Sequence, residues 1–260
     1  MVKSLVRYKH MTNFLEKSVE LDKIIQSPDV HQQVEEMVQI DQYVKKGMPM
    51  PKSPAPLGLL PDQFEDILQE IGINKKRKLR DINNLFNNFR QYLSLKYGIW
   101  SVANINTARL IKKKMHVKNA LEIMAGNAYW SHALEETGIT VISTDSLEWA
   151  KTSSTGAKPF HKVIDLKADQ AIEKYQDVDL ILCSWSPNFG NSDIETIAAW
   201  RKFNPNSHLL FIGEKDGATN SVEFWSQDWF KQTKELREIN RSFQSFDFIN
   251  EQIFEINNEF

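Results

Sequence analysis

The sequence predicts an α/β fold in which a doubly wound, mostly parallel sheet follows a helical region. Before about residue 100, apolar residues recur at the spacing of amphipathic helices. After residue 117, short apolar runs alternate with helical stretches, and near the end of the chain this alternation stops. Strand, helix and strand in repetition imply parallel strands joined by right-handed crossovers, with helices on both faces of the sheet.

The helical region is predicted from its apolar spacing and its prolines. Two helices are expected between Asn13 and Gly47, separated at Ser27-Pro28, where serine is an N-cap residue and proline suits the first helical position. Prolines 49, 51, 54 and 56 then predict an extended strap at 47–61. A short helix should run from Pro61 to Gly72, and one longer helix should carry the apolar stripe from Leu79 to Leu93. We therefore expect a helical cap at 1–100 and a second domain at 101–260.

The second domain is predicted to be Rossmann-like. Five apolar runs are expected as strands: Ala120–Met124, Ile139–Ser143, Val163–Leu166, Asp179–Ser184 and His208–Ile212. Helices are expected between them, at Ser131–Glu136, Gln170–Tyr175 and Asp193–Phe203. Glu235–Ile239 and Gln252–Ile256 are predicted as two further strands, which would close the sheet as an antiparallel C-terminal pair.

Composition limits the class of protein. The chain has 260 residues, 41% hydrophobic and 25% charged, with a formal net charge of −2, which is typical of a globular protein with a buried core. Its single cysteine, Cys183, excludes an internal disulfide and a clustered-cysteine metal site. The first residues lack the apolar run of a signal peptide, and no apolar stretch is long enough to span a membrane. We expect a cytoplasmic protein without a bound metal or a membrane partner.

The loop after the first predicted strand is a candidate ligand site, because ligands of doubly wound sheets bind beyond the carboxyl ends of the strands. The segment reads NALEIMAGNAYWSHAL and is followed by GITVISTD. Gly126 allows close approach of the backbone to a ligand, and Ala128 keeps the next approach narrow. Asp145 ends the second strand, where its carboxylate can accept both hydroxyls of an adenosine ribose.

Two cofactor classes use such a loop. A dinucleotide requires G-x-G-x-x-G, and those positions hold Met124, Gly126 and Tyr129, of which the tyrosine would block close packing of helix on strand. S-adenosylmethionine has no pyrophosphate, and its loop pattern E-x-G-x-G-x-G aligns with Glu122, Met124, Gly126 and Ala128. Met124 is the main departure from that pattern. A strand–turn–helix without any ligand is the remaining interpretation.

Three segments in order carry a resemblance to a known family. The loop EIMAGNAYWS, the turn SWSP at Ser184–Pro187 and the segment FIGEKDGAT at Phe211–Thr219 occur in that sequence. Together they resemble the class I S-adenosylmethionine-dependent methyltransferases, and in particular a little-characterised methyltransferase-like group. The resemblance covers about residues 97–260, whereas the first hundred residues resemble no family that we can name.

The resemblance implies roles for individual residues. Glu122 and the backbone around Gly126 would hold the methionine end of S-adenosylmethionine, and Asp145 would bind the ribose. Asp169 would accept from the adenine amine, with Asp165 as the rival for that role. Tyr97, Trp100 and Ser101 of the lead-in segment would roof the cofactor. For the two aromatic residues, Tyr97 and Trp100, packing under the edge of the sheet is an equally good explanation.

The turn after the fourth strand is the candidate catalytic segment. Amino-methylating relatives carry [NDS]-P-P-[YFW] there. DLILCSWSPNF departs from that form and can be aligned with it in two registers, neither of which has the second proline. In the first register Ser184 is the acceptor, followed by Trp185, Ser186 and Pro187. In the second, Ser186 leads and Phe189 supplies the aromatic ring that would stack on the target. An ordinary turn with a packing tryptophan is the third interpretation, and Glu214 is predicted either to face the pocket or to be exposed.

The remaining chemistry-bearing residues are interpreted structurally. His132 and His161 are expected to be ordinary helix and loop histidines, and Cys183 a buried, inert thiol. Basic runs at Lys75–Arg80 and Lys112–Lys114 could contact nucleic acid, but a solvated helical face is favoured.

The functional hypothesis is a methyltransferase that uses S-adenosylmethionine and acts on an unidentified nitrogen or oxygen nucleophile. The alternatives are a catalytically inactive methyltransferase-like binding or scaffold protein and, with less support, an NAD-type oxidoreductase.

Overall fold

A computed structural model of the chain describes residues 13–153 and 156–258. The expectation about a targeting segment, and the first part of the predicted cap at 1–100, fall on residues 1–12, which lie outside the described residues. None of the helices in the described ranges is both long and apolar enough to cross a membrane.

The helical region contains more breaks than the sequence predicts. Its helices are α1 (Phe14–Ile25), α2 (Pro28–Lys45), α3 (Pro61–Ile71), α4 (Lys76–Asn87), α5 (Phe89–Tyr97) and α6 (Ile105–Lys114), with a 3₁₀ turn at Ile73–Lys75. The single long helix predicted across Leu79 to Leu93 is wrong, because the helix is interrupted at Asn88. The Asn88 side chain donates to the carbonyl of Asn84 at 2.6 Å, a local bond that competes with helix continuation.

The N-cap predicted at Ser27 is correct in position and wrong in mechanism. Pro28 begins α2 as expected, but the Ser27 side chain makes no capping hydrogen bond. Its hydroxyl is instead buried without a partner among the described residues.

The sheet has six strands in the order β3-β2-β1-β4-β5-β6. They are β1 (Asn119–Ile123), β2 (Thr140–Asp145), β3 (Val163–Asp165), β4 (Leu180–Ser184), β5 (His208–Glu214) and β6 (Glu251–Glu255). The first five are parallel, and β6 runs antiparallel to β5. The chain reverses its direction of winding between β1 and β4, which confirms the predicted doubly wound, Rossmann-like fold.

The helices that follow β1 are α7 (Tyr129–Glu135), α8 (Glu148–Thr152), α9 (Ala168–Lys174), α10 (Ser192–Phe203), α11 (Val222–Trp225) and α12 (Lys234–Ser242). The strand predicted at Glu235–Ile239 is wrong, since these residues belong to α12. Leu236 and Ile239 are buried and lie three residues apart, which is helical spacing, and the Thr233 hydroxyl accepts from the Leu236 amide as an N-cap. The antiparallel pair is therefore formed by β5 and β6.

Apolar side chains fill both faces of the sheet. On β4, Leu180 and Leu182 point to the face that packs against the helical region, and Ile181 and Cys183 point to the opposite face. The apolar cluster on the first face is continuous from Leu21 in α1 to Ile253 in β6. The helical region thus covers one face of the sheet and shares its core with it.

The proline-rich segment is extended and lies across the surface. Met50 pairs with residues on either side of Asn104, donating to the Ala103 carbonyl at 3.3 Å and accepting from the Ile105 amide at 2.8 Å. Further along, the Leu57 amide donates to the Phe246 carbonyl at 2.7 Å. The segment therefore ties the start of α6 to the C-terminal part of the chain.

Candidate functional site

A cavity of about 730 Å³ opens at the carboxyl ends of the parallel strands, which is the usual position of a ligand site in this architecture. Its walls come from the segments after β1, β2, β3 and β4 and from the link between α5 and α6. The residues on the wall include Trp100, Ser101, Glu122, Met124, Gly126, Asp145, Glu148, Trp149, Lys167, Asp169, Ser184, Trp185, Pro187, Phe189 and Glu195.

The loop after β1 follows the backbone path of a glycine-rich loop, although only one of its three glycine positions, Gly126, holds a glycine. Met124, Gly126 and Ala128 all have positive φ, of 49°, 56° and 56°. These are the three glycine positions of the pattern E-x-G-x-G-x-G. A non-glycine residue in this conformation costs about 1–2 kcal/mol, and such strain persists where the surrounding structure requires the backbone path. The loop therefore keeps its shape despite two substitutions that oppose it.

Gly126 leaves open space in front of the loop. A Cβ built at this residue meets no atom within 4 Å, although the residue is part of the cavity wall. The space that a side chain would occupy is thus continuous with the cavity.

Met124 does not close this space. Its side chain is directed toward the turn after β4, where its sulfur lies 3.9 Å from the Ser186 hydroxyl. It packs at the edge of the apolar cluster beneath the sheet.

Asp145 faces the cavity and holds the loop at the same time. Its Oδ2 accepts from the Gly126 amide at 2.8 Å. Its Oδ1 accepts from the Leu147 amide at 2.7 Å and from the Trp149 indole at 3.2 Å. A carboxylate offers about four acceptor positions, so one position on Oδ2 remains for a ligand. A second becomes free only if the Trp149 indole moves away.

Glu122 is the most deeply buried carboxyl on the wall, with 1% of its surface exposed. Its Oε2 accepts from both the amide and the hydroxyl of Ser131, and no described residue donates to its Oε1. Burial raises the pKa of Glu122 to about 7, the Ser131 hydrogen bonds oppose this shift, and the nearby charge of Asp145 adds to it. A cation placed at Oε1 would favour the ionised form.

Three of the four predicted residues in the turn after β4 face the cavity, and the fourth does not. Ser184, Trp185 and Pro187 lie on the cavity wall. Ser186 lies behind the wall with 2% exposure, and its carbonyl accepts from the Asn220 amide at 3.0 Å. Ser184, which begins the first predicted register, receives no hydrogen bond at its hydroxyl from the described residues. Phe189, the aromatic residue of the second register, also lies on the wall.

A column of stacked groups joins this turn to the helical region. The Arg90 guanidinium lies 4.3 Å from the Phe246 ring centroid and 4.8 Å from that of Trp185. Trp185 in turn stacks on Trp100, with centroids 5.3 Å apart and planes 16° apart. Trp100 is 48% exposed, so the column ends at the mouth of the cavity.

Arg90 is held in this column by two buried carboxylates. It bonds to Asp247 at 2.8 Å and to Glu251 at 2.9 Å, and all three side chains are at most 4% exposed. Glu251 also accepts from the Trp185 indole at 2.7 Å. The position of Trp185 therefore depends on an ion-pair network that originates in α5.

The other predicted site residues are divided between the wall and its surroundings. Asp169 and Ser101 lie on the wall, whereas Asp165 does not. Ala128 is fully buried behind the wall as the N-cap residue of α7. The Tyr97 hydroxyl donates to Asp41 at 2.7 Å and not into the cavity.

Glu214 faces away from the cavity. Its two carboxylate oxygens accept from the backbone amides of Ala218 and Asn250 at 2.9 and 3.2 Å. It serves to hold the loop that follows β5.

Sequence reasoning missed Ser131, Trp149 and Arg90. Trp149 lies four residues after Asp145, and Ser131 nine residues after Glu122, but neither separation identifies a partner. Arg90 had a usable signal, because a charged residue beside Phe89 within an apolar helical stripe has to be paired when buried.

The cavity wall is acidic. Glu122, Asp145, Glu148, Asp169 and Glu195 all contribute carboxyl groups, and Lys167 is the cation among the described lining residues. Such a wall attracts cationic ligands and repels phosphate groups. No group of side chains suited to holding a metal ion occurs in the described ranges.

Some lysines of the two basic runs have structural partners. Lys112 donates to the Thr137 and Gly138 carbonyls at 2.6 and 3.0 Å, and Lys114 forms an ion pair with Glu238. Lys75 donates to the Ile25 carbonyl at 3.2 Å. Contact with nucleic acid stays an untested prediction.

No family model matches the chain, and no curated protein matches it. Three similar solved structures are methyltransferases. Mitomycin 7-O-methyltransferase MmcR is 13% identical with a TM-score of 0.37, over 92% of this chain and 71% of MmcR. Magnesium protoporphyrin IX methyltransferase ChlM from Synechocystis PCC 6803, solved with bound S-adenosylmethionine, is 13% identical with a TM-score of 0.36, over 69% of this chain and 83% of ChlM.

The CcbJ methyltransferase from Streptomyces caelestis is 12% identical with a TM-score of 0.33, over 44% of this chain. The match spans about half the length of that protein, 52%. At these identities and TM-scores the similarity carries no argument about activity, which has to come from the geometry of the cavity.

Proposed function

We propose that this chain is an S-adenosylmethionine-dependent methyltransferase that acts on a nitrogen or oxygen nucleophile. The observation that carries the proposal is the loop after β1, which has positive φ at Met124, Gly126 and Ala128. It keeps the path of a glycine-rich cofactor loop even where glycine is absent, and the space in front of Gly126 is open. This strain costs stability, and a loop that only joined a strand to a helix would not require it.

The residues on the wall fit the parts of this cofactor. The free Oε1 of Glu122 suits the ammonium group of the methionine end, and the free acceptor position of Asp145 suits a ribose hydroxyl. Asp169 is exposed on the wall, where it can accept from the adenine amine. The acidic wall also suits the positive charge of the sulfonium.

The bound cofactor would supply an electrophilic methyl group on a positively charged sulfur. The protein then has to align the acceptor and exclude water, because the charge disperses as the methyl group leaves. Ser184 offers a free hydroxyl that can accept from the nucleophile, and Trp100 and Trp185 offer flat apolar surfaces at the mouth. These residues are therefore assigned to the acceptor.

An NAD-type oxidoreductase fits the cavity less well. Tyr129, at the third glycine position of a dinucleotide loop, is buried, and its hydroxyl is bonded to the Met48 carbonyl at 2.8 Å. The ring fills the place where a glycine would let helix and strand approach. The acidic wall also opposes a pyrophosphate.

A binding protein without turnover is the second candidate. The crowded carboxylate of Asp145 favours it, because three protein donors already occupy that group. A ligand would have to be held with one free acceptor position, or it would have to displace Trp149.

Calorimetric titration with S-adenosylmethionine tests the proposal. The wild-type chain should bind, Asp145→Asn should bind roughly tenfold more weakly or worse, and Asp165→Asn, which alters a carboxylate off the wall, should bind as the wild type does. Absence of binding to the folded wild-type chain at saturating cofactor would refute the proposal.

Transfer of a labelled methyl group into any fraction of a cell extract separates the two candidates. Binding without transfer would favour the protein without turnover, and transfer would exclude it. Displacement of S-adenosylmethionine by NADH would favour the oxidoreductase.

A further inference from the structure

A chain of hydrogen bonds connects the buried Glu122 to the surface at His161. Glu122 Oε2 accepts from the Ser131 hydroxyl, and Ser143 Oγ lies 2.6 Å from Ser131 Oγ. His161 Nδ1 lies 2.7 Å from Ser143 Oγ. At the outer end, His161 Nε2 lies 3.7 Å from Glu135 Oε1, whose side chain is 56% exposed. The hydrogen bonds are therefore unbroken from the cavity wall to His161, whose side chain is 15% exposed to solvent.

The fold places these groups on three different elements. Glu122 on β1 and Ser143 on β2 are register partners in the sheet, and Ser131 reaches them from α7, which packs against β2. His161 precedes β3. Glu122, Ser131 and Ser143 are at most 1% exposed. Since a hydroxyl both donates and accepts, two buried serines in sequence can pass a proton without ever carrying a net charge.

We propose that Ser131, Ser143 and His161 conduct a proton between the Glu122 carboxyl and solvent. Glu122 touches the cavity, and the three other residues are positioning and proton-conducting residues that act through it. The proposal deepens the proposed function, on which it rests for the ligand that drives the transfer. The pathway itself is a property of this chain and can be tested without a ligand.

The transfer balances in atoms and charge. In the protonated state Glu122 donates to Ser131, Ser131 donates to Ser143, and Ser143 donates to the unprotonated Nδ1 of His161. Each proton then moves one step outward, so that both serines lose one proton and gain one. His161 becomes an imidazolium and releases its Nε2 proton to solvent, which leaves a carboxylate on Glu122. The hydrogen bonds then point inward, from Ser143 to Ser131 and from Ser131 to Glu122.

The charges around Glu122 determine whether its carboxyl keeps or loses the proton. The ionisable groups close to it are Asp145 at the end of β2 and the buried thiol of Cys183 on β4, and neither supplies a positive charge. A cationic ligand at Oε1 reverses this balance and favours the carboxylate. Glu122 is only 1% exposed even without a ligand, so its proton has little direct contact with water through the cavity, and the serine relay provides the exit.

The direct test is the rate at which Glu122 loses its proton in the full chain without ligand. Its carboxyl stretching band is assigned by infrared difference spectroscopy against Glu122→Gln. The band is then followed after a jump from about pH 6 to about pH 8, which spans the raised pKa. Ser143→Ala should slow its loss roughly tenfold or more, equivalent to about 1.4 kcal/mol of activation free energy. Thr144→Val, which removes a neighbouring buried hydroxyl outside the relay, should leave the rate unchanged.

Chemical rescue distinguishes conduction from structural support. His161→Ala should be slow, and added imidazole should restore its rate, because the His161 side chain is 15% exposed and its site is open to a small molecule. Unchanged rates in both Ser143→Ala and His161→Ala would overturn the proposal, and so would a slow His161→Ala that imidazole does not restore.

A measurement on the wild-type chain covers the case in which the variants do not fold. The rate in mixtures of H2O and D2O should depend on the deuterium fraction along a curve, since several protons move together. A straight line, which indicates a single proton, would overturn the relay. These rates can fail while S-adenosylmethionine still binds, so a failure of the relay is distinguishable from a failure of the proposed function.

Discussion

The buried carboxyl of Glu122 should make the stability of the fold depend on pH. In the unfolded chain this group loses its proton at its ordinary pKa of 4.5, and in the folded chain it does so at about 7. Between these values the unfolded state is ionised while the folded state still holds the proton. Stability therefore falls as pH rises through this window, and the loss is complete above the folded pKa.

The size of the effect follows from the two pKa values. A difference of about 2.5 pH units, at about 1.36 kcal/mol each, corresponds to about 3 kcal/mol. Glu122→Gln removes the titration but keeps a side-chain oxygen that can accept from Ser131. We therefore expect the variant to be close to the wild type at pH 4.5 and more stable than the wild type by about 3 kcal/mol above the folded pKa of about 7.

Urea unfolding at a series of pH values measures this difference directly. Glu148→Gln serves as the control, because Glu148 is an exposed carboxyl on the same wall and its side chain is 68% accessible. If the curves of free energy against pH for wild type and Glu122→Gln run parallel across the window, the argument that burial controls Glu122 is refuted.

Three further predictions concern the loop, the ion-pair network and the indole beside Asp145. Gly126 has φ 56°, and an added Cβ would meet no neighbouring atom. Gly126→Ala should therefore lower the free energy of unfolding in urea by about 1 kcal/mol and weaken cofactor binding in calorimetry. An unchanged affinity would indicate that the ligand binds elsewhere. Arg90→Met leaves Asp247 and Glu251 buried without their cation and should cost about 3–5 kcal/mol in urea unfolding, whereas a loss below about 1 kcal/mol would contradict that network. Trp149→Phe frees one acceptor position on Asp145 and should tighten adenosine binding several-fold by calorimetry, with weaker binding as the contrary result.

The five parallel strands could be predicted because each lies in a short, largely apolar run of the sequence. Leu121 and Ile181 are buried, and so are the residues directly before and after each of them. This continuous burial is typical of parallel strands that are covered on both faces of the sheet. The position of Asp145 near Gly126 followed from the architecture, since the ends of neighbouring parallel strands meet at one edge. The antiparallel pair was misplaced because the five residues around Leu236 are too few to separate a strand from a helix.

The rest of the site depends on contacts between distant parts of the chain. Arg90 reaches Asp247 across 157 residues of sequence, and Ser143 reaches His161 across 18. Periodicity reports which side of an element is buried, but it does not report which buried polar groups pair. The aromatic column and the hydrogen-bonded serines are therefore visible only in the folded chain. His161, interpreted from the sequence as an ordinary loop histidine, has its proposed role because it contacts Ser143.

A crystal structure with S-adenosylhomocysteine tests the central claim most directly. The adenosyl group should lie in front of Gly126, with a ribose hydroxyl on Asp145 Oδ2 and the amino group at Glu122 Oε1. A ligand bound outside this cavity, or a cavity left empty at saturating ligand, would contradict the account.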